Sequence, residues 1–300
     1  MNTAGLEICP LPAELEFETL SPLQRGIKRV LVNPLGNYVP ARLMRWMLRV
    51  GRCRLAAANW RDPGGWESMV ISYNGHCSQL ADKILVRAGT IPMALRNRKR
   101  LAAHLMAQMI EEAAKKQPGH SVHVLCLGAG PGQIVGEAMT QTDAPAHATL
   151  VDLSTDAFDY GRKLAEERGL TDRMHFVQAD VRDLRNYLRD PPNIVKMLGI
   201  CEYLEMDQIV TIARAAGEFM PEGGAIVFNS LSRAHGTDRF FRRVFGLHMN
   251  HRDPEALCAL MAQAGFGNFA VHREPLGVYH VIVGRKVAPA GESVAAPPAT

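Results

Sequence analysis

The residues best suited to chemistry begin where a short apolar run, Val122 to Leu127, breaks into Gly128-Ala129-Gly130-Pro131-Gly132. Helical spacing resumes after it with Ile134, Val135 and Ala138. A strand, a glycine turn and a helix in that order let a backbone approach a ligand closely, with helix N–H groups facing it. The spacing is G-x-G-x-G, and Gln133 stands where the dinucleotide fingerprint G-x-G-x-x-G would place its last glycine. Asp152 closes a second apolar run, Ala148 to Val151, where an acid can accept hydrogen bonds from a pair of ribose hydroxyls. Glycines can serve a turn for shape alone. The acid after the next strand turns the reading toward a nucleotide-like ligand.

Two further sets fall at the ends of strand-like runs, Cys201-Glu202-Tyr203 and Asn229 to Ser232. Open parallel sheets bind ligands beyond the carboxyl ends of their strands, so these sets should converge on the glycine turn. Glu202 and His235 are the candidates for a general base. Glu202 could instead form a salt bridge to a nearby arginine, and Tyr203 could orient a substrate or wall the pocket. Asp238, three residues after His235, could cap a helix that starts there. His248 and His251 lack the spacing of a metal site, and no metal is expected.

These residues must be positioned by alternating strands and helices. Strands are expected at 122–127, 148–151, 175–177, 194–200, 225–229, 269–272 and 278–284, the last two pairing as a hairpin across Glu274-Pro275-Leu276-Gly277. Helices are expected at 91–114, 155–168 and 254–264, the last two ending at Gly169 and Gly265. Before them, 1–21 reads as an extended arm. A short helix at 22–32 should stop near Asn33-Pro34, another should span 41–55, and helical spacing recurs at 77–88. The expected organisation is an arm and helical cap at 1–115, a main domain at 116–287, and an Ala/Pro-rich disordered tail at 288–300.

Val124-Leu-Cys-Leu-Gly-Ala-Gly-Pro-Gly132, Val151-Asp-Leu-Ser154 and Val177-Gln-Ala-Asp-Val181 together resemble class I S-adenosylmethionine-dependent methyltransferases, over roughly 121–287. The resemblance implies a Rossmann-like α/β fold, a mostly parallel sheet of about seven strands with helices on both faces. It implies S-adenosylmethionine as methyl donor, held by Gly128, Ala129, Gly130, Gly132, Asp152, Leu153 and Cys201. It also presents Asp180 and the Val181 amide to the adenine, with Asp183 a weaker rival. Such enzymes usually carry Asp or Glu where this chain has Cys126, so the contact to the cofactor's methionine end is absent or supplied elsewhere, for instance by Glu202. Trp60-Arg-Asp-Pro-Gly-Gly-Trp66, Leu95-Arg-Asn-Arg98 and His235-Gly-Thr-Asp-Arg-Phe240 resemble a bacterial methyltransferase family with no assigned substrate. Methyl transfer from a sulfonium is an in-line displacement that needs a positioned nucleophile, little water and often a base, which nominates Glu202, Tyr203 and His235.

Composition bounds the partners. The chain has 300 residues and a net charge of +4, too little by itself to argue for nucleic-acid binding. Six scattered cysteines without a C-x-x-C pair suit reduced thiols and a cytoplasmic setting. No run is apolar enough to span a bilayer. Yet no acid lies between Glu18 and Asp62, a stretch holding Arg25, Arg29, Arg42, Arg45, Arg49 and Arg52. The basic 41–55 helix could lie on the inner face of a membrane. The plainer expectation is that its apolar side packs on the main domain with its arginines in water. Arg96, Arg98, Lys99 and Arg100 offer the same choice between a solvated face and an anion contact. The expected function is methyl transfer to a small-molecule, hydrophobic or lipid-like acceptor. Aminocarboxypropyl transfer from the same cofactor and a non-catalytic cofactor-binding subunit stand as alternatives.

Overall fold

A single mixed sheet organises the protein, and the computed structural model describes residues 5–288 of it. Its strands are β1 (Leu6–Cys9), β2 (Val122–Leu127), β3 (Ala146–Asp152), β4 (Met174–Gln178), β5 (Ile194–Met197), β6 (Ala225–Leu231), β7 (Phe266–Arg273) and β8 (Tyr279–Lys286). They lie in the order β1-β7-β8-β6-β5-β2-β3-β4, with β8 antiparallel to both neighbours and all other pairs parallel. Strand order reverses between β2 and β5, and a crevice opens at such a switch point. The fold class is as expected, with eight strands instead of seven.

The helices are α1 (Pro22–Ile27), α2 (Asn33–Tyr38), α3 (Ala41–Val50), α4 (Arg54–Arg61), α5 (Trp66–Asn74), α6 (Leu80–Asp82), α7 (Thr90–Lys116), α8 (Gln133–Thr140), α9 (Thr155–Glu167), α10 (Leu184–Tyr187), α11 (Met206–Phe219), α12 (Asp238–Phe240) and α13 (Pro254–Gln263). One apolar core joins α7 and α8 to one face of the sheet through Leu101, Met106, Ile110, Val124, Ile134 and Val227. A second joins α11 and α13 to the other face through Leu125, Val195, Ile212, Phe228, Leu257 and Met261. Burial on both faces explains the continuous apolar runs of β2 and β5.

A third core belongs to the cap, and two distant parts of the chain build it. Leu48, Leu55 and Ile71 from α3, α4 and α5 pack with Phe240, Phe245 and Leu247 from the segment after β6. Trp60 Nε1 and Arg45 Nε both donate to the Val244 carbonyl at 2.9 Å, fastening the two parts.

Several boundaries differ from expectation for local reasons. The supposed arm contributes β1, which pairs in parallel with β7 along the sheet edge. The first helix does not stop at Asn33-Pro34: helical turns continue through 28–32 into α2, and Pro34 is carried within them at the loss of one backbone hydrogen bond. The 41–55 helix is two, broken at Gly51-Arg52, with Arg52 at φ +47°. β5 ends at Met197, not at 200, because Gly199 turns at φ +82° and its N–H is taken by Asn229 Oδ1 at 2.8 Å. Apart from Ala288, the expected tail lies outside the described residues.

Candidate active site

The carboxyl ends of β2, β3 and β5 border a cavity of about 250 Å³. Gly128, Ala129, Gly130, Pro131, Gln133 and Asp152 form its floor, and Asp62 to Trp66, the turn between α4 and α5, closes it from above. The three glycines do different work. Gly128, at φ +60°, lets the chain turn where a Cβ would run into Ile200. Gly132, at φ +75°, lets α8 pack against Leu150 and Met174 and does not line the cavity. Gly130 is the open one: a Cβ there would have only Trp66 Cβ near it, at 3.7 Å, and would fill the cradle.

Asp152 ties the floor together. Its Oδ2 accepts the Gly130 N–H at 2.7 Å and its Oδ1 the Ser154 N–H at 3.0 Å. A carboxylate has about four lone-pair sites, so two remain for a ligand.

Opposite the missing acid stands a cation. Cys126 and Lys196 are partners in the β2–β5 register. Burial pushes the Cys126 thiol up to about 11, so it stays neutral. The Lys196 side chain lines the cavity with only 4% of the residue exposed, and its one hydrogen bond is a long one, 3.5 Å to the Leu198 carbonyl. Burial lowers its pKa, and no carboxylate lies within ion-pair distance of it among the described residues. Burial disfavours its ammonium form and a neighbouring anion restores it, so a buried lysine with unused donors is a seat for an anion.

Arg98 from α7 reaches the same cavity and resolves the basic cluster. Arg96 instead forms a forked pair with Glu18 at 2.6 and 2.7 Å, and Lys99 pairs with Glu137 at 2.7 Å. The Arg98 side chain, 1% exposed, bonds Tyr73 OH at 2.7 Å, lies 3.4 Å from Glu202 Oε1, and stacks 4.6 Å from the Tyr279 ring centre. Its Nε, Glu202 Oε2 and Asn229 Nδ2 are buried without partners.

Beside the cavity lies a smaller chamber of about 40 Å³, walled mainly by Leu55, Ile91, Leu95, Phe241, Leu247 and Met249 of the cap and α7, with Glu202 at its edge. Gly64, Met69 and Tyr203 line both spaces.

The structure therefore gathers Gly128, Ala129, Gly130, Asp152 and Tyr203 around one cavity and leaves other nominated residues outside its lining. Leu153 is exposed beyond Asp152. Cys201 points into the core under α11. Asp180, next to Val181, has its carboxylate taken by Arg182, which holds it down at about 2. Glu202 lines the side chamber and a small pocket shared with Asn229 and Arg252 but not the cavity, because the early end of β5 moves residues 201–203 off the strand. Reading the sequence missed Lys196, which lay inside an apolar strand, and Trp66 and Tyr73 of α5, which only folding brings here.

His235 is not at the cavity either. It is buried beneath α2, whose Asn33 Nδ2 donates to the His235 carbonyl at 3.3 Å, and its Nε2 meets His251 Nε2 at 3.1 Å. Asp238 does not cap a helix; it pairs with Arg242 at 3.0 Å. Burial first, then the His251 ring, lowers His235 to about 4. Burial and His147 do the same to His123, also to about 4. Unfolded histidines protonate near 6.5. Between those values the unfolded chain binds more protons, so these groups' contribution is full above about pH 6.5 and drains as pH falls toward 4. The melting temperature should fall over that window, and His235→Asn should flatten the fall. An unchanged slope in the variant would remove the histidine pair as its source. Among the described residues, no group of three His, Cys, Asp or Glu could hold a metal.

The family model described as "Putative methyltransferase" matches residues 73–286. Among solved structures, magnesium protoporphyrin IX methyltransferase of Synechocystis, with bound S-adenosylhomocysteine, superposes over 88% of this chain and 99% of that one (TM-score 0.51, 10% identity). A protein of Bordetella parapertussis described as possibly exported superposes over 84% and 98% (TM-score 0.54, 13% identity). The tRNA 5-carboxymethoxyuridine methyltransferase of Escherichia coli is 23% identical over 100 residues, 33% of this chain and 37% of that protein's length. The family match spans the cavity floor, both buried cations and Tyr203, and the chain belongs to this methyltransferase family, a class I group that uses S-adenosylmethionine as methyl donor.

Proposed function

We propose that the protein methylates a small, largely apolar acceptor, lipid-like molecules included, held beneath the helical cap. One observation carries the proposal: Gly64, Met69 and Tyr203 line both the cavity at the glycine turn and the apolar side chamber. Bound in the cavity, S-adenosylmethionine supplies an electrophilic methyl group on a sulfonium sulfur. Asp152 accepts the ribose hydroxyls with the lone pairs its backbone partners leave free. Gly130 lets the backbone pass close by. Lys196 would take the carboxylate of the methionine end. Tyr203 orients the acceptor at the junction, and the apolar chamber wall keeps water away. Glu202, held 3.4 Å from Arg98, accepts a hydrogen bond from the acceptor's hydroxyl or amine through its unpartnered Oε2. That role is acceptance and orientation more than proton removal.

The test uses methyl-labelled S-adenosylmethionine with fractionated cell extract, wild type against Leu247→Trp, which fills the chamber from the cap side. Label should enter the organic-soluble fraction. The variant should lose at least about tenfold in turnover while its affinity for S-adenosylhomocysteine changes by less than about threefold. Label appearing in RNA, or turnover indifferent to Leu247→Trp, would refute the assignment.

A further inference from the structure

Most large apolar side chains left exposed among the described residues lie in one stretch, between Leu23 and Val50. In α3, Leu43, Trp46, Met47 and Val50 occupy i, i+3, i+4 and i+7, the spacing of a single helix face. That face is turned outward: Trp46 is 60% exposed and Val50 65%. The opposite side, with Leu48 and Met44, meets the cap core. The plainer expectation for this helix, an inward apolar side with its arginines in water, holds for Met44 and Leu48 and not for Leu43, Met47 and Val50.

The segment before it repeats the pattern. Leu23, Ile27, Val30 and Leu31 follow helical spacing from α1 into the next turns, and all are exposed, Val30 at 77%. Neither α1 nor α2 buries a residue. Arginines interleave the apolar stripes: Arg25, Arg29, Arg42, Arg49 and Arg52 are all exposed. Among the described residues, the first cation along the chain to hold an ion pair is Arg61, with Glu67.

We infer that 22–52 is a docking surface for an anionic lipid bilayer, its apolar stripes entering the headgroup boundary and its arginines meeting lipid phosphates. An outward apolar stripe flanked by cations is the pattern of a helix lying in a membrane interface. The charges select this occupant. A second copy docked symmetrically would bring the same acid-free surface against itself, arginine facing arginine. A nucleic acid would satisfy the arginines but leave the leucines, valines and Trp46 without a partner. A bilayer with acidic headgroups satisfies both. No helix among the described residues is long and apolar enough to cross a membrane, so the contact is peripheral. The surface also adjoins the acceptor chamber, since α4 supplies Leu55 and Asn59 to its wall. It stands whatever the acceptor is.

Sedimentation with vesicles of phosphatidylcholine, alone or mixed with phosphatidylglycerol, tests the inference. The full chain should pellet with the mixed vesicles and bind neutral ones at least about tenfold more weakly. Leu31→Asp/Val50→Asp should lose about a hundredfold or more of that binding while keeping wild-type affinity for S-adenosylhomocysteine, which reports an intact fold. Arg29→Gln/Arg42→Gln should reduce the preference for phosphatidylglycerol and weaken the salt dependence. Three results would overturn the inference: no pelleting with mixed vesicles, binding indifferent to the aspartate substitutions, or a wild-type dimer that the same substitutions make monomeric.

Discussion

Asp152→Ala is expected to weaken S-adenosylhomocysteine binding by about a hundredfold or more in calorimetric titration, with the protein still folded. Two effects add. The ribose hydroxyls lose a charged acceptor, and hydrogen bonds to charged groups contribute about 1.5–3 kcal/mol each. The Gly130 and Ser154 amides, now held at 2.7 and 3.0 Å, also lose their partner, so the glycine turn is no longer pre-arranged. A hundredfold corresponds to about 2.7 kcal/mol, within reach of either effect combined with part of the other. Asp180→Ala is the informative control. Its carboxylate is already engaged by Arg182 and does not line the cavity, so its loss should change affinity by less than about fivefold. If Asp180→Ala proves as damaging as Asp152→Ala, the adenine lies nearer β4 than the cavity implies. If Asp152→Ala binds normally, the cavity is not the cofactor site.

The largest stability effect should come from Arg98→Met. The guanidinium and the Glu202 carboxylate, with side chains 1% and 4% exposed, have little but each other and a few polar neighbours to offset desolvation. Removing the cation leaves Glu202 buried and uncompensated, a loss of about 3–5 kcal/mol in comparable pairs. For a chain of this size that is a drop in melting temperature of roughly 10 °C. Arg98→Met/Glu202→Gln should recover more than half of the loss, because the double variant buries no lone charge. Thermal unfolding of Arg98→Met, Glu202→Gln and the double variant beside wild type decides it. Additive losses would mean the pair is not coupled and that Arg98 matters through its Tyr73 and Tyr279 contacts alone. A double variant restored in stability but dead in methyl transfer would show the pair to be kept for function, as its place between cavity and chamber suggests.

How much of this was legible beforehand differs from element to element. The glycine turn and Asp152 could be read because their chemistry is local: positive φ demands glycine, and a strand's last residue lies at the sheet edge whatever surrounds it. The β7–β8 hairpin was equally plain. β1 was not, since four residues between Gly5 and Pro10 carry too little pattern, and the strand exists because β7 offers it a partner. Glu202 and His235 were chosen for type and position after a strand. A one-residue turn at Gly199 moved the first to a side chamber, and the segment after β6 folded the second away beneath α2.

Local pattern by itself determined the class of fold and placed a glycine turn and Asp152 at the sheet edge, while the cofactor followed from the family resemblance. Fold class and turn depend on backbone conformation and strand order, which short stretches encode through glycine, periodicity and apolar runs. Tertiary structure alone decided which charges the site would hold and which way the cap would face. Lys196 looks like an interruption in an apolar strand until the register sets it beside Cys126 and turns it toward the cavity. The apolar stripe of α3 is the same in sequence whether it packs inward or outward. Its direction is set by Leu48 and Met44, on the other side, which pack in the cap core.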